Sequence, residues 1–156
     1  MIKLNNKTEE VLRQMYNILI ENLFITYPDF LNNKDKHDNK ENYNKWTNMI
    51  KNEKDYNIIT YEEGNQVLGF LSYQPIENVL WICEVQIRRE YKNKKIFKRM
   101  LKKFVSLNKK NKEVTIHIND ANKISKEVFT HIGFKPVGKT VYKIEMTKLI
   151  EYIKDI

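Results

Sequence analysis

Apolar residues along the chain follow first a helical period, then an alternating one, and the switches between the two mark out the elements. Val11, Leu12, Met15, Leu19 and Leu23 recur at helical spacing, with Glu9 and Glu10 placed to complement the dipole of a first turn. A short strand over residues 2 to 4 precedes this helix, and Tyr27-Pro28 ends it. Residues 29 to 45 are polar and aperiodic and predict a loop, followed by a short second helix around Trp46, Met49 and Ile50. YNIITY (56 to 61) and QVLGFLSY (66 to 73) flank EEGN, where Gly64 and Asn65 tolerate positive φ, so the pair predicts a hairpin. VLWICEVQI (79 to 87), set off by the turn-like QPIEN, adds a third antiparallel strand to make a meander.

Beyond residue 90 the period changes. Phe97, Met100, Leu101, Phe104 and Val105 form one apolar stripe with lysines and arginines outside it, which predicts a helix beginning near Ile96. VTIHI (114 to 118) alternates as a strand. Ile124, Val128 and Ile132 predict the next helical stripe, with Gly133 as its C-terminal cap; VGKTVYKIEM and LIEYI then predict a last strand and a terminal helix. The order is β-α-α-β-β-β-α-β-α-β with a C-terminal helix. That is an α+β fold, a central, mostly antiparallel mixed sheet flanked by helices, expected as one domain over residues 1 to 156.

Composition narrows the class only a little. An apolar fraction of 41% and aromatic content of 12% belong to a folding chain. Lys and Arg number 28 against 20 acids, a formal +8 that suits an anionic partner, although the abundance of Asn lets the same charge reflect a Lys/Asn-biased composition. Cys83 is the lone cysteine, so no intrachain disulfide is available. The N-terminus MIKLNNKTEE has no signal-peptide core and no apolar run approaches the roughly 20 residues of a membrane span, so a cytoplasmic protein without a membrane partner is expected.

Two stretches carry candidate chemistry: EYKNKKIFKRMLKKF (90 to 104) and NKISKEVFTHIGF (122 to 134). In the first, a strand leads through a donor-rich loop into a helix, and the first amides of a helix have no internal acceptor and lie at its positive end. Residues 92 to 97 can therefore cradle phosphate, with Lys92, Lys94, Lys95 and Lys98 adding attraction. A solvated basic face is the alternative for this stretch taken alone.

The element order and both stretches together resemble the GNAT superfamily of acetyl-CoA-dependent N-acetyltransferases, from residue 2 to about 147. The family's loop Tyr-Arg-Gly-x-Gly-x-Gly/Ala stands here as Tyr91-Lys92-Asn93-Lys94-Lys95-Ile96-Phe97, with Asn93, Lys95 and Phe97 in place of small residues. Its Asn-x-x-Ala/Ser-x-x-x-Tyr-x-x-x-Gly-Phe stands as Asn122, Ser125, Phe129, Gly133 and Phe134, all at the family's offsets. The resemblance implies a GNAT-like fold. It further implies that acetyl-CoA, as cosubstrate, is held by the main chain of Val85, Gln86 and Ile87, by Lys92, Asn93, Lys94, Lys95, Ile96 and Phe97, and by Asn122, Ser125 and Phe129.

Transfer to an amine requires a base or a water wire to deprotonate the acceptor, a donor for the oxyanion and a route for protonating the departing thiolate. Main-chain groups of Val85 to Ile87 are implied as the oxyanion donors. Glu84 is the nearest carboxylate and the candidate base, with a solvent-facing position or a pair with Arg88 as the alternative. Phe129 stands where many family members have an acidic tyrosine, so Tyr142 on the late strand is the candidate acid, release of the thiolate to solvent being the alternative.

Cys83 is expected as a small buried hydrophobe. His37, His117 and His131 stand apart from any ligand-like spacing, so no metal is expected. The expected partner is a small-molecule or peptide amine, with a homodimer left open. The competing functions are a basic nucleic-acid-binding module, using the helix at 96 to 110 and Tyr73, and a catalytically silent CoA-binding module.

Overall fold

The computed structural model describes residues 1–92 and 95–154. Its strands are β1 (Ile2–Asn5), β2 (Asn57–Glu63), β3 (Gln66–Ile76), β4 (Val79–Ile87), β5 (Glu113–His117), β6 (Lys135–Pro136) and β7 (Val141–Glu145). They form a sheet of order β1-β2-β3-β4-β5-β7-β6. Every neighbouring pair is antiparallel except β4 and β5, which run parallel. Parallel neighbours need a long crossover. Here it is made through the helix α4 (Ile96–Asn108).

The remaining helices are α1 (Glu9–Thr26), α2 (Lys34–His37), α3 (Lys40–Asn52), α5 (Lys123–Ile132) and α6 (Met146–Ile153). Two cores lie on opposite faces of the sheet. On one, Leu12, Met15 and Ile18 of α1 and Ile50 of α3 pack on Ile58, Val67 and Phe70. On the other, Met100, Leu101, Phe104 and Val105 of α4, with Phe129 and Ile132 of α5 and Leu149 of α6, pack on Leu71, Ile82, Ile116 and Ile144.

The predicted order and mixed sheet stand, with five local differences. Residues 29 to 45 are not a loop: a 3-10 turn over Pro28–Asn33, α2 and the start of α3 occupy them. Side-chain amides organise this stretch in place of an apolar stripe. Asn39 caps α3 by accepting from the Asn42 amide at 2.8 Å, and its own Nδ2 donates to the carbonyls of Asp35 and Lys36.

The late strand starts at Val141, not 137. Val137 N donates to Val141 O to close a turn, and Lys135–Pro136 returns to pair with β7. The terminal helix begins earlier than expected, at Met146. On α5 the predicted stripe is rotated: Ile124 and Val128 are exposed, while Phe129 and Ile132 enter the core.

The β3–β4 turn is sharper than the five-residue QPIEN suggests. Glu77 and Asn78 both take positive φ, 49° and 68°, as a tight two-residue hairpin requires. Among the described residues, no helix is long and apolar enough to cross a membrane.

Candidate active site

The site begins with a fault in the β3–β4 ladder. Ser72 pairs with Glu84 and Tyr73 with Ile82, which leaves Cys83 as the unopposed residue of a bulge. On a regular strand Glu84 would share a face with Ile82. The extra residue reverses that phase. Ile82, Val85 and Ile87 all turn to the α4–α5 core, while Glu84 and Gln86 turn to the α1 side. Cys83 itself is exposed, not buried as its apolar neighbours suggested, because the bulge lifts it out of the packed alternation. The surrounding protein and the nearby Glu84 carboxylate push its thiol up to about 11, which leaves it protonated at neutral pH.

Glu84 is partly open as a residue, but its carboxylate is enclosed by protein, and that desolvation raises its pKa. The Gln86 side chain opposes this, donating from Nε2 to Glu84 Oε1 at 2.6 Å. Among the described residues, no group donates to Oε2. The alternative pair with Arg88 is not made; its guanidinium Nε donates to Val67 O at 3.0 Å.

Tyr56 and Ser72 stand beside this carboxylate, the tyrosine hydroxyl donating to Ser72 Oγ at 2.7 Å. Burial raises the Tyr56 pKa, the Ser72 bond lowers it, and the Cys83 and Glu84 charges raise it further. Tyr56, Ser72 and Asn22 went unrecognised in the sequence because their placement around Glu84 and Gln86 depends on the bulge and on the docking of α1.

Next to the bulge the sheet opens. Among the described residues, β4 and β5 pair only at Trp81–Thr115 and Ile82–Ile116; from Cys83 to Ile87, β4 has no described ladder partner on that side. The main chain of Val85, Gln86 and Ile87 thus borders a cleft between two parallel strands. Gly69 of β3 brings the next segment close to it. A Cβ there would stand 3.2 Å from Ile87 Cγ1, 3.3 Å from Gln86 O and 3.4 Å from Ile96 Cγ2, so the start of α4 seats tightly against β3 and β4 and a side chain at 69 would require these neighbours to give by a few tenths of an ångström.

At the mouth of the cleft, Lys95 precedes α4 with φ 59° and ψ 19°, the left-handed conformation that favours glycine. Positive φ thus falls on Lys95, one of the positions where the family motif has glycine. Lys92 is exposed at the end of the preceding 3-10 turn. Ile96 is buried and Phe97 half-buried. Asn93 and Lys94 lie outside the described residues.

The opposite wall is α5. Asn122 caps it, accepting at Oδ1 from the Ser125 amide at 3.1 Å, so these two predicted residues are one cap. Gly133, at φ 125°, ends the helix with its amide on the carbonyls of Phe129 and Thr130. Phe129 stands edge-on to both Phe97 and Phe134, at 5.6 and 5.4 Å. The two sequence stretches therefore meet across the α4–α5 boundary.

Tyr142 is placed elsewhere. It pairs with Ile116 and belongs to the α4–α5 core, on the face of the sheet opposite Glu84. The two candidate catalytic side chains are not brought together.

A family model described as "Acetyltransferase (GNAT) family" matches residues 12–134, which spans the bulge, the cleft and both walls. The chain belongs to the GNAT acetyltransferase family. As a GNAT protein it is an acyltransferase that uses acetyl-CoA. No curated protein sequence matches it.

Solved structures share the fold of this GNAT chain at low identity. The PaiA N-acetyltransferase of Thermoplasma acidophilum, solved with coenzyme A, has a TM-score of 0.71 at 16% identity over 93% of this chain and 99% of its own. An aminoglycoside 6'-N-acetyltransferase complexed with coenzyme A gives 0.68 at 8% identity, covering 94% and 97%. An N-acetyltransferase from Staphylococcus aureus Mu50 gives 0.64 at 17% identity, covering 94% and 98%.

Proposed function

We propose that the protein transfers the acetyl group of acetyl-CoA directly to a primary amine, with Glu84 as the base on the amine side of β4. The observation that carries this is the Cys83 bulge, which turns Glu84 and Gln86 to the α1 side at the point where β4 and β5 part.

The opened edge suits a pantetheine chain, because strand amides without a ladder partner still need acceptors. In this reading the main chain of Val85 to Ile87 binds that chain and faces the thioester oxygen. The start of α4, with Lys92, Lys95, Ile96 and Phe97, holds the pyrophosphate; Asn93 and Lys94 belong to the same loop. Asn122, Ser125 and Phe129 form the other wall. Acetyl-CoA supplies an activated acetyl group as a thioester.

A protonated amine must lose a proton before it can attack. A carboxylate raised by burial toward neutral pH is a better acceptor of that proton than one left at its solution value. Glu84 takes it at Oε2, with Gln86 fixed on Oε1. Tyr142 Oη, on the opposite face, is proposed to deliver the proton needed on the thiolate side.

The deciding experiment is acetyl-CoA turnover against a panel of peptides, polyamines, aminoglycosides and amino acids, with wild type and Glu84→Gln. Turnover with one amine class, lost by at least about a hundredfold in the variant, supports the reading. Full turnover in Glu84→Gln would remove the base role.

A further inference from the structure

One buried side chain explains which way the Gln86 amide faces. Asn22 lies on α1, only 5% exposed, and its Nδ2 donates twice, to Gln86 Oε1 at 2.9 Å and to the Ile87 carbonyl at 2.9 Å. Its Oδ1 is buried and has no partner among the described residues. Orphaned buried oxygens are uncommon and carry a cost. The Ile87 carbonyl outweighs that cost and fixes a direction. A backbone carbonyl can only accept, so Asn22 must present its NH2 to Ile87. The second hydrogen of that NH2 then takes Gln86 Oε1, which leaves the Gln86 NH2 as the end that reaches Glu84.

We propose that Asn22 is a positioning residue for the acetyl transfer, fixing the direction of an Asn22–Gln86–Glu84 hydrogen-bond chain so that Glu84 is always met by a donor and keeps Oε2 for the substrate proton. This rests on Glu84 being the base.

Without that direction Gln86 could rotate and set its own oxygen against the carboxylate, which disfavours the anion. The other groups around Glu84 leave the task to this chain. Ser72 is opposite it on β3 and is neutral. Tyr56, ahead of β2, spends its proton on Ser72. Cys83 is adjacent on β4 and is a protonated thiol at neutral pH, while Glu53, past the end of α3, acts on Cys83. From α1, Asn22 reaches the carboxylate only through Gln86.

The test is an NMR titration of protein carrying 13C at the glutamate carboxyls and 15N at the side-chain amides, with Glu84 assigned by its loss in Glu84→Gln. In wild type, both Gln86 amide protons should shift with the Glu84 midpoint. In Asn22→Asp, whose carboxylate accepts from Gln86 and turns it round, the Glu84 midpoint should rise by about one pH unit or more. An unchanged midpoint in a folded Asn22→Asp overturns the proposal. If that variant does not fold, Gln86 amide protons that ignore the wild-type Glu84 titration overturn it equally. Neither readout needs an acceptor. Unchanged midpoints alongside turnover that dies in Glu84→Gln would remove the chain and leave the function; the expected midpoints with full turnover in Glu84→Gln would overturn the positioning role through the base itself.

Discussion

Phe97 of α4 and Phe129 of α5 meet edge to face, 5.6 Å between ring centroids, and this contact ties together segments separated in sequence by β5. Edge-to-face pairs of this kind add about 0.5–1.5 kcal/mol beyond the area they bury. Phe129 is the more buried of the two and also packs on Phe134. Phe129→Ala should therefore cost about 3–5 kcal/mol, and Phe97→Ala clearly less. Urea denaturation of both variants measures the order; equal losses would mean that the half-buried Phe97 is anchored by something other than this ring.

Lys95 offers a test of the loop that leads into α4. Its left-handed backbone costs an L-residue roughly 1–2 kcal/mol, part of which a glycine forfeits through its freer unfolded state. Lys95→Gly should stabilise the fold by a few tenths up to about 1 kcal/mol, whereas a β-branched Lys95→Val should destabilise it. If helix amides hold the pyrophosphate, acetyl-CoA affinity in Lys95→Gly should stay within a few-fold, since one exposed charge is worth at most about 1 kcal/mol. Calorimetry on the free and ligand-bound forms separates the two effects.

Gly69→Ala should disturb the cleft from the far side of β4. The added methyl has two isoleucine side chains that can shift slightly, but the Gln86 carbonyl at 3.3 Å belongs to the strand itself. A loss of about 1–3 kcal/mol is expected, with a higher KM for acetyl-CoA because the displaced backbone borders the cleft. Unchanged stability and KM would show that the strand moves freely there.

The Glu84 carboxyl links stability to pH. Burial raises its folded pKa above the unfolded value of 4.5, so the stability it contributes is complete below that value and is lost as pH rises through the folded pKa. Glu84→Gln, which keeps the acceptor for Gln86 and cannot ionise, should melt higher than wild type at neutral pH. The gap should close as the pH falls below the unfolded value. Melting curves across that range check the sign, and a gap that widens in acid would show that the carboxylate is stabilised by the fold.

Much of the fold was open to a reader of the sequence because its elements rest on local rules. The α4 stripe, the meander with a turn at Gly64 and the Gly133 cap were each determined by neighbours a few residues away. The Asn122-to-Phe134 pattern was legible only through the family resemblance, since the local stripe pointed to Ile124 and Val128 where Phe129 enters the core. Where local signals were silent, other forces decided. Side-chain amides folded residues 29 to 45 without an apolar stripe, and the face of α5 that is buried was chosen by packing against Phe97.

The chemistry divides in the same way. Sequence alone placed a carboxylate on β4, a basic loop before α4 and an aromatic on α5. It could not say that Cys83 would stand unopposed, because a bulge is a property of two paired strands, and one residue of slip exchanges the faces of all that follow. Only the tertiary structure turned Glu84 toward α1, set Tyr142 on the opposite face, and brought Asn22 to Gln86 across the whole meander. Side-chain period is local; register and the docking of a distant helix are settled by contacts that exist only once the sheet has formed.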